Sequence, residues 1–123
     1  MIHLDTSFLI RALVPGTRQD RAIREWIAEG VPLAISAVAW AEFGCGPLRP
    51  EELALAEGIV TRCRDFTRDD AEGAARLYDE SGRRRGSLAD CMIAAAALAD
   101  GAPVATTNVN DFRPLRDSGL KLV

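Results

Sequence analysis

The apolar residues of this chain come in short runs separated by stretches of helical periodicity. The first run, Ile2-His3-Leu4, is followed by an acid, Asp5, and then at once by Phe8, Leu9 and Ile10. That order predicts a buried strand whose last residue is Asp5. It also predicts a short helix over Thr6–Val14, capped by Asp5, Thr6 or Ser7 and ended by Pro15-Gly16. A second helix is expected over about Arg18–Glu29. Ala22, Ile23, Trp26 and Ile27 share its inner face, and Asp20–Arg24 and Arg21–Glu25 form i,i+4 pairs on its outer side.

Leu33-Ala34-Ile35 reads as the next buried strand, and Ser36 as the cap of a helix from Ala37 to about Cys45, broken by Gly44, Gly46 and Pro47. Pro50 opens a further helix at its favoured first position, with Glu51 and Glu52 in the first turn. Thr67 is placed to cap another, whose inner side carries Ala71, Ala74, Ala75 and Tyr78. These two helices are expected to pair as an antiparallel hairpin. After Arg83-Arg84-Arg85 the longest amphipathic pattern lies between Gly86 and Gly101. Ser87 is its cap, and Ile93, Ala94, Ala97 and Leu98 share a face with Asp90. Pro103-Val104-Ala105 is expected as a strand ending in Thr106-Thr107-Asn108, followed by a polar loop through Asp111-Phe112, and Leu120–Val123 as a last edge strand.

Strands that alternate with helices point to an α/β fold with a mostly parallel central sheet of four to five strands flanked by helices. The 123 residues fit one domain, 1–123, and 48% hydrophobic residues suffice for a core. Asp5 and Arg11 interrupt any N-terminal apolar region, and the run Cys91–Ala99 is too short for a bilayer. The expectation is a soluble cytoplasmic protein without a membrane partner.

Composition then removes chemistries. Cys45, Cys63 and Cys91 are odd in number and contain no C-x-x-C, against a disulfide framework or a thiolate zinc site; they are expected to be small buried residues. The single histidine, His3, lies inside a strand, so a mechanism needing a histidine acid and a histidine base is excluded. The net charge of −3 does not resemble a generic nucleic-acid binder. Yet all basic residues except Lys121 are arginines, the better residue for bidentate phosphate contacts.

Four acids stand apart from the surface charge. Asp5 ends the first strand, Glu42 lies in the apolar helix after the second, Asp90 opens the alanine-rich helix, and Asp111 follows the strand Pro103–Ala105. In a parallel sheet all four places lie at the strand carboxyl edge, where such folds bind ligands. Converging carboxylates without a cation would repel one another. Hard oxygen ligands suit Mg²⁺ or Mn²⁺, and such ions hydrolyse phosphodiesters without histidine. Each acid also has a structural alternative. Asp5 could cap its helix, Glu42 could reach solvent, Ser87-x-x-Asp90 could form a capping box, and Asp111 could be a turn residue.

At these positions the sequence resembles the PIN-domain nucleases, and within them the VapC toxins of toxin–antitoxin pairs. The resemblance runs through Ile2-His-Leu-Asp-Thr-Ser7, Ile35-Ser-Ala-Val-Ala-Trp-Ala-Glu42, Gly86-Ser-Leu-Ala-Asp90-Cys-Met-Ile-Ala-Ala and Ala105-Thr-Thr-Asn-Val-Asn-Asp111-Phe112. It implies a metal-dependent endoribonuclease in which Asp5, Glu42, Asp90 and Asp111 are the catalytic metal ligands for Mg²⁺ or Mn²⁺. Cleavage by water would leave 5′-phosphate and 3′-hydroxyl ends. Thr6, Ser7 and Thr106 match polar positions near the family's site, suited to ordering ligands or binding phosphate. Asn108 stands where many relatives carry an acid, three residues before Asp111. The resemblance also implies an RNA substrate, a VapB-type antitoxin partner and a homodimer. The apolar faces between Leu53 and Tyr78 are candidate partner contacts, or else close the core. Arg83 to Arg85 either guide RNA or form a solvated run at a helix end.

Three other classes compete. A dehalogenase-like phosphatase needs a second acid two residues after its nucleophilic Asp, where this chain has Ser7. A receiver-type phospho-acceptor domain needs a lysine after a late strand, and Lys121 is too close to the end. A catalytically inactive PIN-like binding module shares every fold-level feature.

Overall fold

In the computed structural model, which describes residues 1–123, the first apolar run forms β1 (Ile2–Leu4), buried at every position. Asp5 is not part of the strand but the residue preceding α1 (Thr6–Ala12). There follow α2 (Arg18–Ala28), β2 (Leu33–Ser36), α3 (Ala37–Gly44), α4 (Pro50–Ile59), β3 (Arg62–Arg64) and α5 (Arg68–Glu80). The chain continues with α6 (Leu88–Ala99), β4 (Val104–Ala105), α7 (Val109–Phe112) and a 3-10 turn at Arg113–Ser118.

The four strands lie in the order β3-β2-β1-β4, all parallel. The chain moves outward from β1 to β2 and β3, then returns to place β4 on the other side of β1. The carboxyl end of β1 is therefore the topological switch point, where open α/β sheets form their ligand crevice. His3 sits beside Ala34 on one side and Val104 on the other, and the Asp5 amide donates to the Ala105 carbonyl at 2.9 Å. Asp5 is thus anchored from its backbone at the switch.

Leu4, Leu33, Ile35 and Val104 bury the sheet against Ile93 and the alanines of α6, with Phe43 and Phe112 filling the flanks. α6 is apolar on nearly all sides because it lies between the sheet and α5, and its alanines permit close approach. Local chemistry closes the ends. Thr17, Ser36 and Thr67 accept hydrogen bonds from the amides three residues on, and the Asp70 carboxylate accepts one in turn from the Thr67 amide. No helix is long and apolar enough to cross a membrane.

Several expectations need correction. The hairpin between α4 and α5 is absent, because β3 intervenes as an edge strand and α5 packs along α6 instead. The sequence Arg62-Cys63-Arg64 carries no apolar alternation, since an edge strand needs no buried face. The polar loop through Asp111 is the short helix α7. Leu120–Val123 is not a strand but a single parallel bridge of Leu122 to Val104. Cys45 and Cys63 are exposed, and only Cys91 is buried. The Arg21–Glu25 pair does not form, because Arg21 reaches the Gly16 carbonyl at 2.8 Å.

The polar residues of the sheet form one network under α5 and α6. Arg64 of β3 donates to Asp70 at 2.6 and 3.1 Å and to Asp100 at 2.9 Å. The other Asp100 oxygen lies 2.7 Å from His3 Nε2. Burial holds the His3 pKa below its ordinary value against the pull of Asp100, so the neutral ring donates from Nε2. The partner of His3 is therefore ninety-seven positions away in sequence.

Candidate active site

Asp5 is 4% exposed, and its carboxylate does not cap α1. Instead Oδ2 accepts hydrogen bonds from Ser7 Oγ at 2.7 Å and Thr106 Oγ1 at 2.8 Å. The two hydroxyls lie 3.3 Å apart and are themselves oriented by backbone donors. The Thr107 amide donates to Ser7, and the Asn108 amide to Thr106. The segment after β4 thus reaches across the switch point to hold the acid after β1.

Glu42 projects from α3 toward the same edge. Its Oε1 accepts from Thr6 Oγ1 at 3.2 Å, while the Thr6 hydroxyl also bonds the Ala39 carbonyl at 3.0 Å. The residue as a whole opens to solvent, but its carboxyl tucks against α1. Partial burial raises its pKa, Thr6 opposes the shift, and the charge of Asp5 adds to it.

Asp90 sits in the first turn of α6, half-buried. The capping box with Ser87 does not form, because Ser87 Oγ donates to the Arg84 carbonyl at 2.7 Å. The Asp90 carboxyl is thus not engaged in capping. Its pKa is pushed up to about 6, first by burial and then by the charges of Asp5, Asp111 and Glu42, with Arg84 opposing. All four acids therefore share one electrostatic neighbourhood. Asp111 is exposed on α7, with its backbone amide bonded to the Asn108 carbonyl at 3.0 Å. Asn108 precedes α7 without a side-chain capping bond.

Arg84 is the site residue that sequence reading did not resolve from its neighbours. The arginine run divides three ways. Arg83 pairs with Asp79 and lies over the Tyr78 ring, Arg85 is exposed, and Arg84 turns inward to donate to the Asp111 carbonyl at 2.8 Å. Positive φ at Gly82, Arg83 and Gly86 makes the bend. The flanking glycines were the available signal, since they permit this conformation without steric cost. Arg84 Nε is buried and has no partner.

The donor set fits a hard cation, with carboxylates and hydroxyls and neither thiol nor imidazole among them. The acids are grouped but not closed: no three His, Cys, Asp or Glu side chains stand near enough to hold one ion as placed.

The model of the PIN domain matches residues 2–116. The chain belongs to the PIN-domain family. No curated protein matches it. Among solved structures, this PIN domain is similar to a chain of VapBC2 from Rickettsia felis bound to a promoter DNA fragment, at 22% identity and a TM-score of 0.76, covering 100% of this chain and 98% of that one. A toxin–antitoxin complex from Klebsiella pneumoniae is 28% identical with a TM-score of 0.70, covering 91% and 90%. VapC20 of Mycobacterium tuberculosis, a toxin that cleaves the sarcin–ricin loop, is 19% identical with a TM-score of 0.69, covering 100% and 98%.

Proposed function

We propose that this chain is a Mg²⁺- or Mn²⁺-dependent endoribonuclease, acting in the cytoplasm as a VapC-type toxin. Its partners are a VapB-type antitoxin and a second copy of itself. One observation carries the nuclease reading. Asp5 makes no side-chain capping bond and is pinned by Ser7 and Thr106 at the switch point, and its charge acts on Asp90 together with those of Glu42 and Asp111. Membership of the PIN family supports it, and the 28% identical toxin–antitoxin complex supports the toxin role.

Asp5, Glu42, Asp90 and Asp111 are the residues that would hold the cation. Bound there, it supplies an acidified water and charge stabilisation at the leaving oxygen. The protein supplies orientation. Ser7 and Thr106 fix Asp5 Oδ2, and Thr6 fixes Glu42 Oε1. Arg84, tied to the Asp111 carbonyl, brings a fixed positive charge to a crevice that must admit a phosphodiester. The products are 5′-phosphate and 3′-hydroxyl ends.

The test is cleavage of labelled total RNA and tRNA with Mg²⁺, Mn²⁺ or EDTA, beside the Asp90→Asn variant. Discrete cuts that need both the cation and Asp90 are expected, and cutting that survives in the variant would remove the site assignment. Growth arrest on expression in a bacterial host, relieved by a co-expressed adjacent small DNA-binding protein, is expected of the toxin role.

The open spacing of the acids favours one second reading, a binding module of the same fold that no longer cuts. Absence of cleavage together with absence of cation binding by calorimetry would select it.

A further inference from the structure

Thr106 faces a second space. With Thr107 it lines a cleft of ≈ 370 Å³ whose other walls include Phe8, Trp26, Arg18 and Gln19. Phe8 and Trp26 stack with ring centroids 5.6 Å apart and planes inclined by 23°. Phe8 is buried, but Trp26 stays half-exposed where it borders the cleft.

The polar wall is equally unspent. Arg21 and Arg24 of α2 are engaged by the Gly16 carbonyl and Asp20, whereas no ion pair holds Arg18 and no hydrogen bond holds the Gln19 side chain. Arg18 is also the first residue of α2, where the helix dipole disfavours a cation. Its position costs stability and gains no internal partner. The cleft is thus an aromatic wall, a free amide able to donate and accept, and a free guanidinium, joined to Asp5 through Thr106.

We propose that this cleft is a nucleobase subsite that holds a residue of single-stranded RNA next to the cut phosphodiester; this rests on the nuclease reading above. The base lies against Trp26, Gln19 reads its hydrogen-bonding edge, and Arg18 contacts the adjoining phosphate. Splayed bases of single-stranded RNA are held this way, by aromatic stacking with edge contacts from side chains. The volume falls within the range for small-ligand sites and admits one nucleoside. The subsite would set which base flanks the cut.

The chain has two tryptophans, and Trp40 stacks on Phe43 away from this cleft. Asp90→Asn with Trp40→Phe therefore leaves Trp26 as the sole reporter in a protein that does not cut. This protein is titrated in Mg²⁺ with 3′-fluorescein nonamers of A, C or U, following anisotropy for binding and Trp26 emission for stacking. Expected are saturable quenching and affinities that differ between bases. Gln19→Leu should reduce that difference by about threefold or more. Arg18→Ala should weaken every nonamer about fivefold and lower the salt slope by roughly 0.7. Binding without quenching, or quenching whose base preference survives Gln19→Leu, would overturn the subsite while leaving the nuclease reading intact. No anisotropy change with any nonamer would overturn both.

Discussion

Thr106 donates a 2.8 Å hydrogen bond to Oδ2 of Asp5, across 101 positions of sequence, and the two residues directly follow neighbouring parallel strands. A buried carboxylate with two hydroxyl donors on one oxygen leaves its other oxygen for a ligand. Second-sphere donors of this kind typically change metal affinity or activity by about 10–100-fold.

Thr106→Val keeps the shape of the side chain and removes the donor. Mg²⁺ affinity by calorimetry should fall by about tenfold, with stability lowered by about 1 kcal/mol in thermal melts. Unchanged affinity would show that Ser7 alone holds Asp5.

Asp90 links the site to stability. Its folded pKa of about 6 lies above the ordinary value of 3.8, so the charged form disfavours the fold. Without divalent cation, stability should fall as pH rises from about 4 to about 6 and then level off. Asp90→Asn should flatten that fall and melt higher than wild type above about pH 6. Added Mg²⁺ should restore the wild type there and leave the variant nearly unchanged.

Glu42→Gln removes one charge while keeping the contact to Thr6. It should weaken cation binding by about tenfold in calorimetry, by loss of a ligand charge. Equal affinity would assign Glu42 to the solvent.

Asp70 behaves with the opposite sign. Its bonds to Arg64, against the cost of burial, hold its pKa down to about 2. The stabilisation is complete above about pH 4 and is lost as pH falls toward about 2. It amounts to about 2 kcal/mol. Asp70→Asn should cost about 3 kcal/mol near neutral pH, because Arg64 is left buried with one partner fewer. A melt unaffected by the substitution would mean that Asp100 alone satisfies Arg64.

The elements that sequence made legible are those whose burial imposes a period. β1, β2 and α6 are covered on both sides and read as apolar runs, and Ser36 and Thr67 announced the helices they cap. β3 was invisible because Arg62 and Cys63 face solvent and Arg64 is held by ion pairs, so no apolar rhythm marks it. α7 shows no helical signature in the sequence because four residues are too few to display a helical period. That the charges of Asp5, Glu42 and Asp111 act on Asp90 agrees with the rule that parallel sheets bind at their carboxyl edge. The fine roles of these acids were not legible, because Ser87 could have capped Asp90's helix by sequence alone. Only the fold shows it bonded to Arg84. The cleft beside Trp26 joins α1, α2 and the segment after β4, a juxtaposition that no local pattern encodes.

β3 gives the sheet a tough side and a yielding one. Its backbone is tied only to β2, and its side chains hold by charge where the other strands hold by apolar cover. Acid therefore loosens this margin first, and amide exchange at Cys63 should outrun that at Leu4 and Ile35. The arginines on the same margin also discourage another strand from joining it. The crevice of Asp5 and Thr106 lies at the opposite margin, between β1 and β4. Fraying can therefore begin, and be reversed, without dismantling the place where the acids meet.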